Sequence, residues 1–340
     1  MPRFPPLVAL VAAASLVSGC QIDDDPPPPS PPGRTVHVAA DAAAGGDGSG
    51  GRPFASLAEG VGAAMPGDTV AVGPGTYPGP IVTVRAGRPG APIRLVGAGP
   101  SSRIVGSGSG RLVQVLHSYV SLTSFDISGA DILVWVHHAT GVKIAGNVLH
   151  DAGGECVRLK YFSHHNEVSG NRIGPCGLEG FDLDDDHKNG EGVYVGTAPE
   201  QLDRNPTDDP DRSDANRIHD NVVSVPAECV DVKEAATANE VTGNRCTGSR
   251  DPEGGGFSSR GQGTVFRGNT STGHAGAGIR LGGDTGDDGV DSSVVGNRLS
   301  DNEGYGVKVM REPQAAICGN DVDASGRGAT NGTADPSTPC

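Results

Sequence analysis

Four short segments carry the side chains best suited to chemistry, and each alternates apolar and polar residues. They are Glu155-Cys156-Val157-Arg158-Leu159-Lys160, Glu191-Gly192-Val193-Tyr194-Val195-Gly196, Glu228-Cys229-Val230-Asp231-Val232-Lys233 and Gly255-Gly256-Phe257-Ser258-Ser259-Arg260. If the apolar side chains face a core, Lys160, Lys233 and Arg260 face outward. Stacked as neighbouring strands, Lys233 and Arg260 lie about 4.8 Å apart in backbone spacing. Because adjacent cations repel, we expect the pKa of Lys233 to fall, which makes its amine a better base.

The same segments supply a column of carboxylates. Glu155, Glu191 and Glu228 occupy equivalent positions, and Asn189 stands two residues before Glu191. Calcium prefers carboxylate and amide oxygens, so Asn189, Glu191 and Glu228 are candidate ligands for this ion. Outward Lys, Arg and Glu side chains are also what a solvated surface carries, and that alternative stays open.

A base, a second cation and a divalent metal together suit one reaction, β-elimination from a polymer of uronic acids. That reaction needs a base for the proton next to the carboxylate, stabilisation of the enolate, and a proton for the leaving oxygen. In this interpretation Lys233 is the base, Arg260 is a carboxylate partner or acid, and calcium is the electrophile. Lys160, Tyr194 and Arg280 are candidates for binding the substrate.

The chemistry-bearing segments must be positioned by a repeat whose mark is the dipeptide Gly-Asn. Its asparagines, including the variant Asp220-Asn221, are Asn147, Asn171, Asn221, Asn244, Asn269, Asn297 and Asn320. Successive asparagines are 23 to 28 residues apart, except for one interval of 50, which we interpret as two coils plus an insertion. We expect each asparagine to adopt the left-handed conformation at a bend and to hydrogen-bond its counterpart in the next coil.

Each repeat contains two or three short alternating strands that cannot bury a face alone. Stacked at this period they predict an all-β, single-stranded right-handed parallel β-helix with an apolar interior. Near its start, Ser56 and Glu59 have the spacing of a capping box, which predicts a short helix covering the open end. The predicted solenoid spans residues 35–325, contains an acidic insertion at 177–214, and is followed by a tail at 326–340.

The N-terminal segment is set apart from the solenoid. Its apolar run, Leu7 to Val17, is too short to span a bilayer, and Val17-Ser18-Gly19-Cys20 resembles a bacterial lipoprotein signal. The resemblance implies removal of residues 1–19 and acylation of Cys20, which anchors the chain to a membrane. Residues 20–34 form a proline-rich tether. The lipoprotein resemblance further implies the outer membrane or cell surface rather than the inner membrane, because Gln21 and not an aspartate follows the cysteine.

Six further cysteines, an even number in an exported chain, predict disulfides. Six cysteines allow about 15 pairings. Among them, Cys318 with Cys340 would hold the C-terminal tail, and Cys156 with Cys176 or Cys229 with Cys246 would close a short loop. The sequence has no Cys-x-x-Cys pair, so a zinc site is a weak alternative.

Three early motifs carry a family resemblance: Pro53-Phe54-Ala55-Ser56-Leu57, Gly67-Asp68-Thr69-Val70 and Pro74-Gly75-Thr76-Tyr77. They resemble the N-terminal part of the pectin-lyase-like right-handed parallel β-helix superfamily. The likeness is greatest to polysaccharide lyases of families six and nine and to uncharacterised bacterial right-handed β-helix repeat proteins. The superfamily includes lyases, epimerases, hydrolases and adhesins, so the motifs imply architecture rather than activity.

A second resemblance concerns the candidate site. The segment from Asn189 to Thr197 resembles the Asn-Gly-Gly-Glu segment of the chondroitinase-B-like lyases of family six. It implies Lys233 as the base, Arg260 as the family's arginine, and calcium binding by Asn189 and Glu228. The family has a second acidic ligand two residues before the position of Glu228, where this chain has Pro226. Glu191 or Asp231 could substitute.

The net charge and its distribution along the chain limit the classes of molecule that the protein can bind. The formal net charge of −15 argues against nucleic acid. Residues 177–214 hold 12 acidic and three basic residues, and four aspartates between 284 and 291 add more negative charge. Most of the acidity therefore lies outside the coils, so a groove for an acidic polysaccharide remains compatible with the composition. We expect the insertion to be a surface loop.

Two classes of function follow from the sequence. The first is a surface-anchored, monomeric lyase that cleaves an acidic polysaccharide by β-elimination, with a uronan C5-epimerase as its close variant. The second is a non-catalytic β-helix lipoprotein that binds a glycan or another surface partner.

Overall fold

The computed structural model describes Met1 and residues 33–185, 187–283, 286 and 288–340. The predicted signal after Met1, the predicted lipidation site at Cys20 and the predicted tether up to residue 32 lie outside the described residues, as do Asp284 and Asp287. Within the described residues no helix is long and apolar enough to cross a membrane.

The chain folds into a right-handed parallel β-helix of about ten turns, which confirms the predicted fold class. Each complete coil contributes one strand to each of three parallel sheets, here called sheets 1, 2 and 3 in the order in which a coil visits them. Because every strand pairs with the strand one coil earlier and one coil later, equivalent positions of successive coils form columns along the solenoid.

The strands are short, and their bounds are as follows. Sheet 1 contains Thr35–Val38, Thr69–Val72, Ile93–Gly97, Val120–Thr123, Lys143–Ala145, Glu167–Ser169, Arg217–His219, Glu240–Thr242, Val265–Arg267, Ser293–Val295 and Ala316–Cys318. Sheet 2 contains Gly75–Pro78, Ser102–Val105, Asp126–Ala130, Val148–Ala152, Arg172–Ile173, Val222–Ser224, Arg245–Thr247, Thr270–Thr272, Arg298–Ser300 and Asp321–Asp323. Sheet 3 contains Ile81–Val82, Arg111–Val115, Ile132–His137, Val157–Lys160, Val193–Val195, Val230–Val232, Gly255–Ser259, Ala277–Leu281, Tyr305–Val309 and Gly328–Thr330. A small antiparallel hairpin pairs Phe181–Asp182 with His187–Lys188.

A short helix covers the N-terminal end of the solenoid, as predicted. It spans Leu57–Ala63, and Leu57 and Val61 are buried against the first coils. Glu59 donates its backbone N–H to Ser56 Oγ at 3.2 Å, and Ser56 returns its own N–H to the Glu59 carboxylate at 3.1 Å. This capping box satisfies two donors at the helix start that would otherwise lack partners.

The asparagines of the Gly-Asn repeat form a buried ladder. Each side-chain Nδ2 donates to Oδ1 of the asparagine in the next coil at 2.9 to 3.1 Å, through Asn147, Asn171, Asn221, Asn244, Asn269, Asn297 and Asn320. The expected left-handed conformation is wrong for the asparagines themselves. The preceding glycines adopt it, with φ of 61° to 64°, as does Asp220 with φ of 56°. Glycine does so without strain because it has no Cβ.

The 50-residue interval is one coil rather than two. Asn171 Nδ2 donates directly to Asn221 Oδ1 at 2.9 Å, and Arg172–Ile173 pairs with Val222–Ser224. The extra length is split into two insertions, one before and one after the strand Val193–Val195. Residue spacing alone cannot distinguish a missing coil mark from a long loop, which explains the wrong interpretation. The solenoid also continues beyond 325, since Gly328–Thr330 pairs with sheet 3.

Three disulfides have the pairing that closes short loops and holds the tail. They join Cys156 to Cys176, Cys229 to Cys246 and Cys318 to Cys340. Cys156 and Cys176 both lie between sheets 2 and 3 on neighbouring coils. Cys229 directly precedes the sheet 3 strand Val230–Val232, whereas Cys246 lies in the sheet 2 strand Arg245–Thr247.

The ladder makes a direct prediction for stability. Asn244→Ala removes a side chain that donates to Ile218 O and Asn269 Oδ1 and accepts from the N–H and Nδ2 of Asn221. We expect the free energy of unfolding to fall by about 3 kcal/mol, because buried groups lose their partners. Chemical denaturation measures it. The neighbouring exposed Arg245→Ala is the control and should change stability by less than about 0.5 kcal/mol. Equal losses in both variants would contradict this role of the ladder.

Candidate active site

The outer face of sheet 3 carries a continuous column of polar and aromatic side chains. Strand register places Trp135, Arg158, Tyr194, Asp231 and Ser258 side by side on five successive coils. They face outward because the valines and phenylalanine that alternate with them fill the core. All five are nevertheless buried, since long turns rise on both sides of this part of the sheet.

The first insertion forms one wall of this groove. Its hairpin is held against the next turn by Lys188, whose ammonium lies 3.2 Å from the Asp251 carboxylate. The Arg250 guanidinium lies 5.0 Å from the centre of the Phe181 ring in the same hairpin. The described residues of this part of the predicted acidic surface loop are thus mostly exposed, and their hairpin packs against the turn beside the site.

The second insertion forms the opposite wall. It begins with a 3₁₀ helix, Pro199–Arg204, and Gln201 Oε1 accepts a hydrogen bond from the Arg158 guanidinium at 2.8 Å. Farther along this insertion, the buried Asp211 accepts hydrogen bonds from the backbone N–H groups of Tyr161 and Phe162, which lie in the turn after sheet 3. Both contacts fix the insertion to the coil that precedes it.

A second column, of cations, lies at the ends of the sheet 3 strands. The backbone ladder continues past the strands, because Gly196, Lys233 and Arg260 donate their N–H groups to Leu159, Val195 and Val232. Lys160, Gly196, Lys233 and Arg260 therefore occupy the same position on successive coils, which is the alignment deduced from the segments. Lys160 is only 3% exposed and Lys233 only 6%.

The expected fall in the pKa of Lys233 is wrong, because a carboxylate lies between the two cations. The Lys233 ammonium donates to Asp231 Oδ2, and Arg260 donates to the same oxygen at 3.0 Å. Burial alone would lower the pKa of Lys233, but the Asp231 carboxylate raises it above its ordinary value. Burial opposes ionisation of Asp231, yet Lys233 and Arg260 hold its pKa below the ordinary value. Lys233 is thus an ammonium in this arrangement.

Three carboxylates converge beside this ion pair. Glu191, Glu228 and Asp231 each place an oxygen within 4.8 Å of the others. Burial, reinforced by repulsion from neighbouring carboxylates, raises the pKa of Glu191 to about 7 and that of Glu228 to about 8. Of the predicted calcium ligands, the structure thus brings Glu191 and Glu228 together and leaves Asn189 exposed. Asp231 supplies the third carboxylate.

The column of glutamates deduced from the segments does not act as one unit. Glu155 accepts a hydrogen bond from Arg158 at 2.9 Å, so it has a partner in its own segment, although its charge still helps to raise the pKa of Glu191. Only Glu191 and Glu228 remain near Asp231.

Tyr194 occupies the centre of the groove floor. Its ring lies between two cations, 4.3 Å from the Arg158 guanidinium carbon and 4.4 Å from Lys233 Nζ. Burial raises the pKa of Tyr194 to about 12, so its hydroxyl is neutral at pH 7. That hydroxyl is buried and has no hydrogen-bond partner among the described residues.

Other buried polar atoms of the groove also lack partners within the described part of the chain. They are Trp135 Nε1, Arg158 Nε, Asp231 Oδ1, Ser258 Oγ and Arg260 Nε. Nearly all buried polar groups in folded proteins are hydrogen-bonded, and each exception needs an explanation. A concentration of such atoms on one outward face fits a surface that receives a polar ligand.

Sequence reasoning placed some of these residues and missed others. Arg280 follows Ser258 in the same column and is half-buried, so this candidate lies at one end of the groove floor. The pairing role of Asp231 was missed, although its position two residues before Lys233 puts both on the same side of one strand. The stacking of Arg111, whose guanidinium carbon lies 3.6 Å from the Trp135 ring centre, had no sequence signal.

Comparisons with known proteins agree on the architecture. A family model described as a right-handed beta helix region matches residues 186–337. The alginate lyase from Paenibacillus sp. str. FPU-7 superimposes with a TM-score of 0.73 at 22% identity, over 88% of this chain and 98% of that one. Pectate lyase Pel9A superimposes with a TM-score of 0.61 at 13% identity, over 90% and 82%.

A third solved structure, the periplasmic alginate epimerase AlgG, has a TM-score of 0.50 at 12% identity and covers 88% of this chain and 69% of its own. No curated protein sequence matches significantly. At these identities the similarities show a shared right-handed parallel β-helix, which confirms the resemblance to the pectin-lyase-like fold.

The acidic cluster predicts an unusual pH dependence of stability in calcium-free buffer. Glu191 and Glu228 keep their protons to higher pH when folded than when unfolded, so stability from these groups falls as pH rises from about 4.5 to about 8. Glu228→Gln is neutral throughout, and we expect it to exceed the wild type at pH 8.5 by about 2 kcal/mol.

Thermal denaturation at pH 5.5 and 8.5 in the presence of a chelator measures this difference. Glu240→Gln, at an exposed position in sheet 1, is the matched control and should follow the wild type at both pH values. A Glu228→Gln protein that gains no stability relative to the wild type between the two pH values would contradict the assignment.

Proposed function

We propose that this protein is a polysaccharide lyase that cleaves an acidic polysaccharide by β-elimination. The main support is the groove floor, where the neutral and unpartnered Tyr194 hydroxyl lies beside Lys233 in a setting rich in cations. The fold supports the proposal as well, because the alginate lyase and the pectate lyase share it.

The proton movements of β-elimination can be assigned to two side chains, provided that Lys233 first changes from the ammonium described above to its amine form. In β-elimination, a base removes the proton next to the sugar carboxylate, a carbon–carbon double bond forms, and the bond to the leaving oxygen breaks. We assign proton removal to the amine form of Lys233 and proton donation to the Tyr194 hydroxyl. Arg260, held by Asp231 at 3.0 Å and by Glu234 at 3.5 Å, contributes positive charge near the substrate carboxylate.

A calcium ion fits the donor set beside Lys233. Glu191, Glu228 and Asp231 offer three carboxylates, and Asp231 Oδ1 has no hydrogen-bond partner among the described residues. We propose these three as ligands, with Asn189 as a further ligand expected from the sequence. When bound, calcium would supply positive charge that competes for Asp231 and thereby favours the amine form of Lys233.

Export and anchoring belong to the same proposal. We propose that the chain is a bacterial lipoprotein acylated on Cys20 and exposed at the outer membrane or cell surface, where a polysaccharide is accessible. The three disulfides support export, because such bonds persist in oxidising compartments.

The activity itself is tested with a panel of polymers. We expect one of alginate, pectate or chondroitin to give a rise in ultraviolet absorbance, because elimination creates an unsaturated sugar end. Silence on the whole panel from folded protein would overturn the lyase proposal, and solvent-proton exchange without cleavage would indicate an epimerase instead.

Tyr194→Phe separates catalysis from stability. Losing the proton donor should reduce kcat at least about 100-fold. Because the hydroxyl has no partner in the described structure, its loss should raise the free energy of unfolding by about 1 kcal/mol. Tyr77→Phe is the control, since the Tyr77 hydroxyl donates to Gly73 O at 2.8 Å. It should destabilise the protein by about 1 kcal/mol and leave kcat unchanged.

Calcium is tested through thermal stability as well as activity. We expect added Ca²⁺ to raise Tm at pH 8, because it compensates the buried carboxylates, and Glu191→Gln to abolish most of that rise. Glu240→Gln should keep the full rise. A Tm that is insensitive to both calcium and chelator would exclude the proposed metal site.

A further inference from the structure

We propose that Lys160, with Trp135 and the stacked rings of His137 and Tyr161, forms a second sugar subsite. It takes the carboxylate of a uronic acid two residues along the chain from the sugar held at Tyr194 and Lys233. This inference rests on the proposed function, since it defines the substrate class that the same groove accepts: chains with a carboxylate on every second sugar at least.

Lys160 is a buried cation whose ammonium forms no direct ion pair with any described residue, although Asp211 and Glu155 lie near enough to act on its charge. It is 3% exposed, and neither a hydrogen bond nor an ion pair reaches its ammonium from any described residue. Its Nζ lies 5.6 Å from the centre of the Trp135 ring, and the Arg158 guanidinium lies at the same distance from that ring. Burial, together with repulsion from Arg158, lowers the pKa of Lys160 to about 8. An anion placed here would compensate both cations.

The nearby carboxylates are committed to other partners. Glu155 binds Arg158 at 2.9 Å. Asp211 accepts the N–H groups of Tyr161 and Phe162 at 2.6 and 2.8 Å and the Thr197 hydroxyl at 2.6 Å. The anion that completes the surroundings of Lys160 must therefore come from outside the described residues.

The spacing of the cations fits a uronic acid polymer. Lys160 and Lys233 share one column and are separated by two coils, which is about 10 Å along the solenoid. Gly196 occupies the coil between them and has no side chain, so the two lysines in this column are separated by one position without a charge. A 1,4-linked pyranose is about as long as one coil rise of about 4.8 Å. Where successive sugars are turned over, every second carboxylate points to the same side.

The turn beside Lys160 carries a stack of aromatic rings, in which His137 and Tyr161 are half-buried and Trp135 is buried beneath Arg111. The rings of Trp135 and His137 stack at 5.8 Å with an interplanar angle of 13°, and those of His137 and Tyr161 stack at 4.9 Å and 18°. Tyr161 and Phe162 both adopt the left-handed region, with φ of 56° and 57°, which is unfavourable for aromatic residues. Asp211 accepts the N–H groups of both residues and so holds this turn in place.

Trp135 also has an unused donor. Its Nε1 is buried and lacks an acceptor among the described residues, so a sugar hydroxyl or carboxylate could receive that hydrogen bond. Aromatic side chains with a polar group are well suited to this double role of stacking and donating.

Lys160→Met tests the subsite, because it removes the charge but keeps most of the apolar stem. We compare kcat/KM on defined oligouronates of increasing length. For oligomers that reach both subsites, kcat/KM should fall about ten- to one-hundredfold, the range expected for losing a charged hydrogen bond. For the shortest cleaved oligomer, kcat/KM should change less than about twofold. The increase of kcat/KM with oligomer length that the wild type shows should therefore be lost in the variant.

Controls separate the subsite from folding. Lys143→Met removes a cation from sheet 1, where Lys143 pairs with Glu167 at 2.8 Å, and should not alter the dependence on chain length. Lys160→Met should melt no lower than the wild type, since an unpaired buried charge is removed. Tyr161→Leu is the second variant, and it should also lower kcat/KM for long oligomers more than for short ones.

Calorimetric binding of a hexauronate distinguishes the possible failures. If the wild type cleaves but Lys160→Met keeps the wild-type dependence on length, the subsite is overturned and the lyase stands. If the wild type binds without cleaving, and Lys160→Met binds at least about tenfold more weakly, the subsite stands and the lyase is overturned. If no polyuronate binds, both are overturned.

Discussion

Every structural column in this molecule depends on a fixed register between successive coils. A parallel strand pair can slip by two residues and keep its apolar face inward, so alternation alone does not fix the register. The buried asparagine ladder does, because each side chain both donates to the next coil and accepts from the previous one. A second and shorter ladder, through Asn166, Asn216 and Asn239, passes from the long coil to its neighbours.

That register is what turns distant residues into a site. Arg158, Tyr194 and Asp231 are separated in sequence by 36 and 37 residues, yet they are neighbours on adjacent strands. Since the ladders bracket the long coil on both sides, its two insertions can rise from the solenoid without displacing Val193–Val195 from sheet 3. Loop length is thereby decoupled from the placement of the groove floor.

Charge compensation sets the chemistry on that floor. Asp231 is 1% exposed and would be costly to ionise alone, but it accepts hydrogen bonds from both Lys233 and Arg260. The same pairing keeps Lys233 protonated and leaves Glu191 and Glu228 with little positive charge of their own. A single carboxylate therefore links the protonation of Lys233 to the charge of the neighbouring acidic cluster.

Features that depend on sequence periodicity were predicted correctly, whereas predictions failed where one neighbouring side chain determines the outcome. The Gly-Asn marks predicted the coils, and the capping box at Ser56 predicted the terminal helix, because both are local patterns with one structural meaning. The pKa of Lys233 was predicted in the wrong direction, because the aligned segments indicated Arg260 beside it but not that Asp231 reaches both cations. Likewise the 50-residue interval could be read as one coil or two until strand pairing was known.

The asparagine ladder and the outer face of sheet 3 differ in how completely their buried polar atoms are hydrogen-bonded. The ladder amides in the turn between sheets 1 and 2 are largely hydrogen-bonded, whereas Trp135, Tyr194 and Ser258 on the outer face of sheet 3 each bury a polar atom without a partner in the described structure. A stack of identical coils has no need of such atoms, and each costs about 1 to 3 kcal/mol. The coils can carry that cost because their register is secured elsewhere, so the outer face of sheet 3 can hold donors and acceptors that lack partners among the described residues.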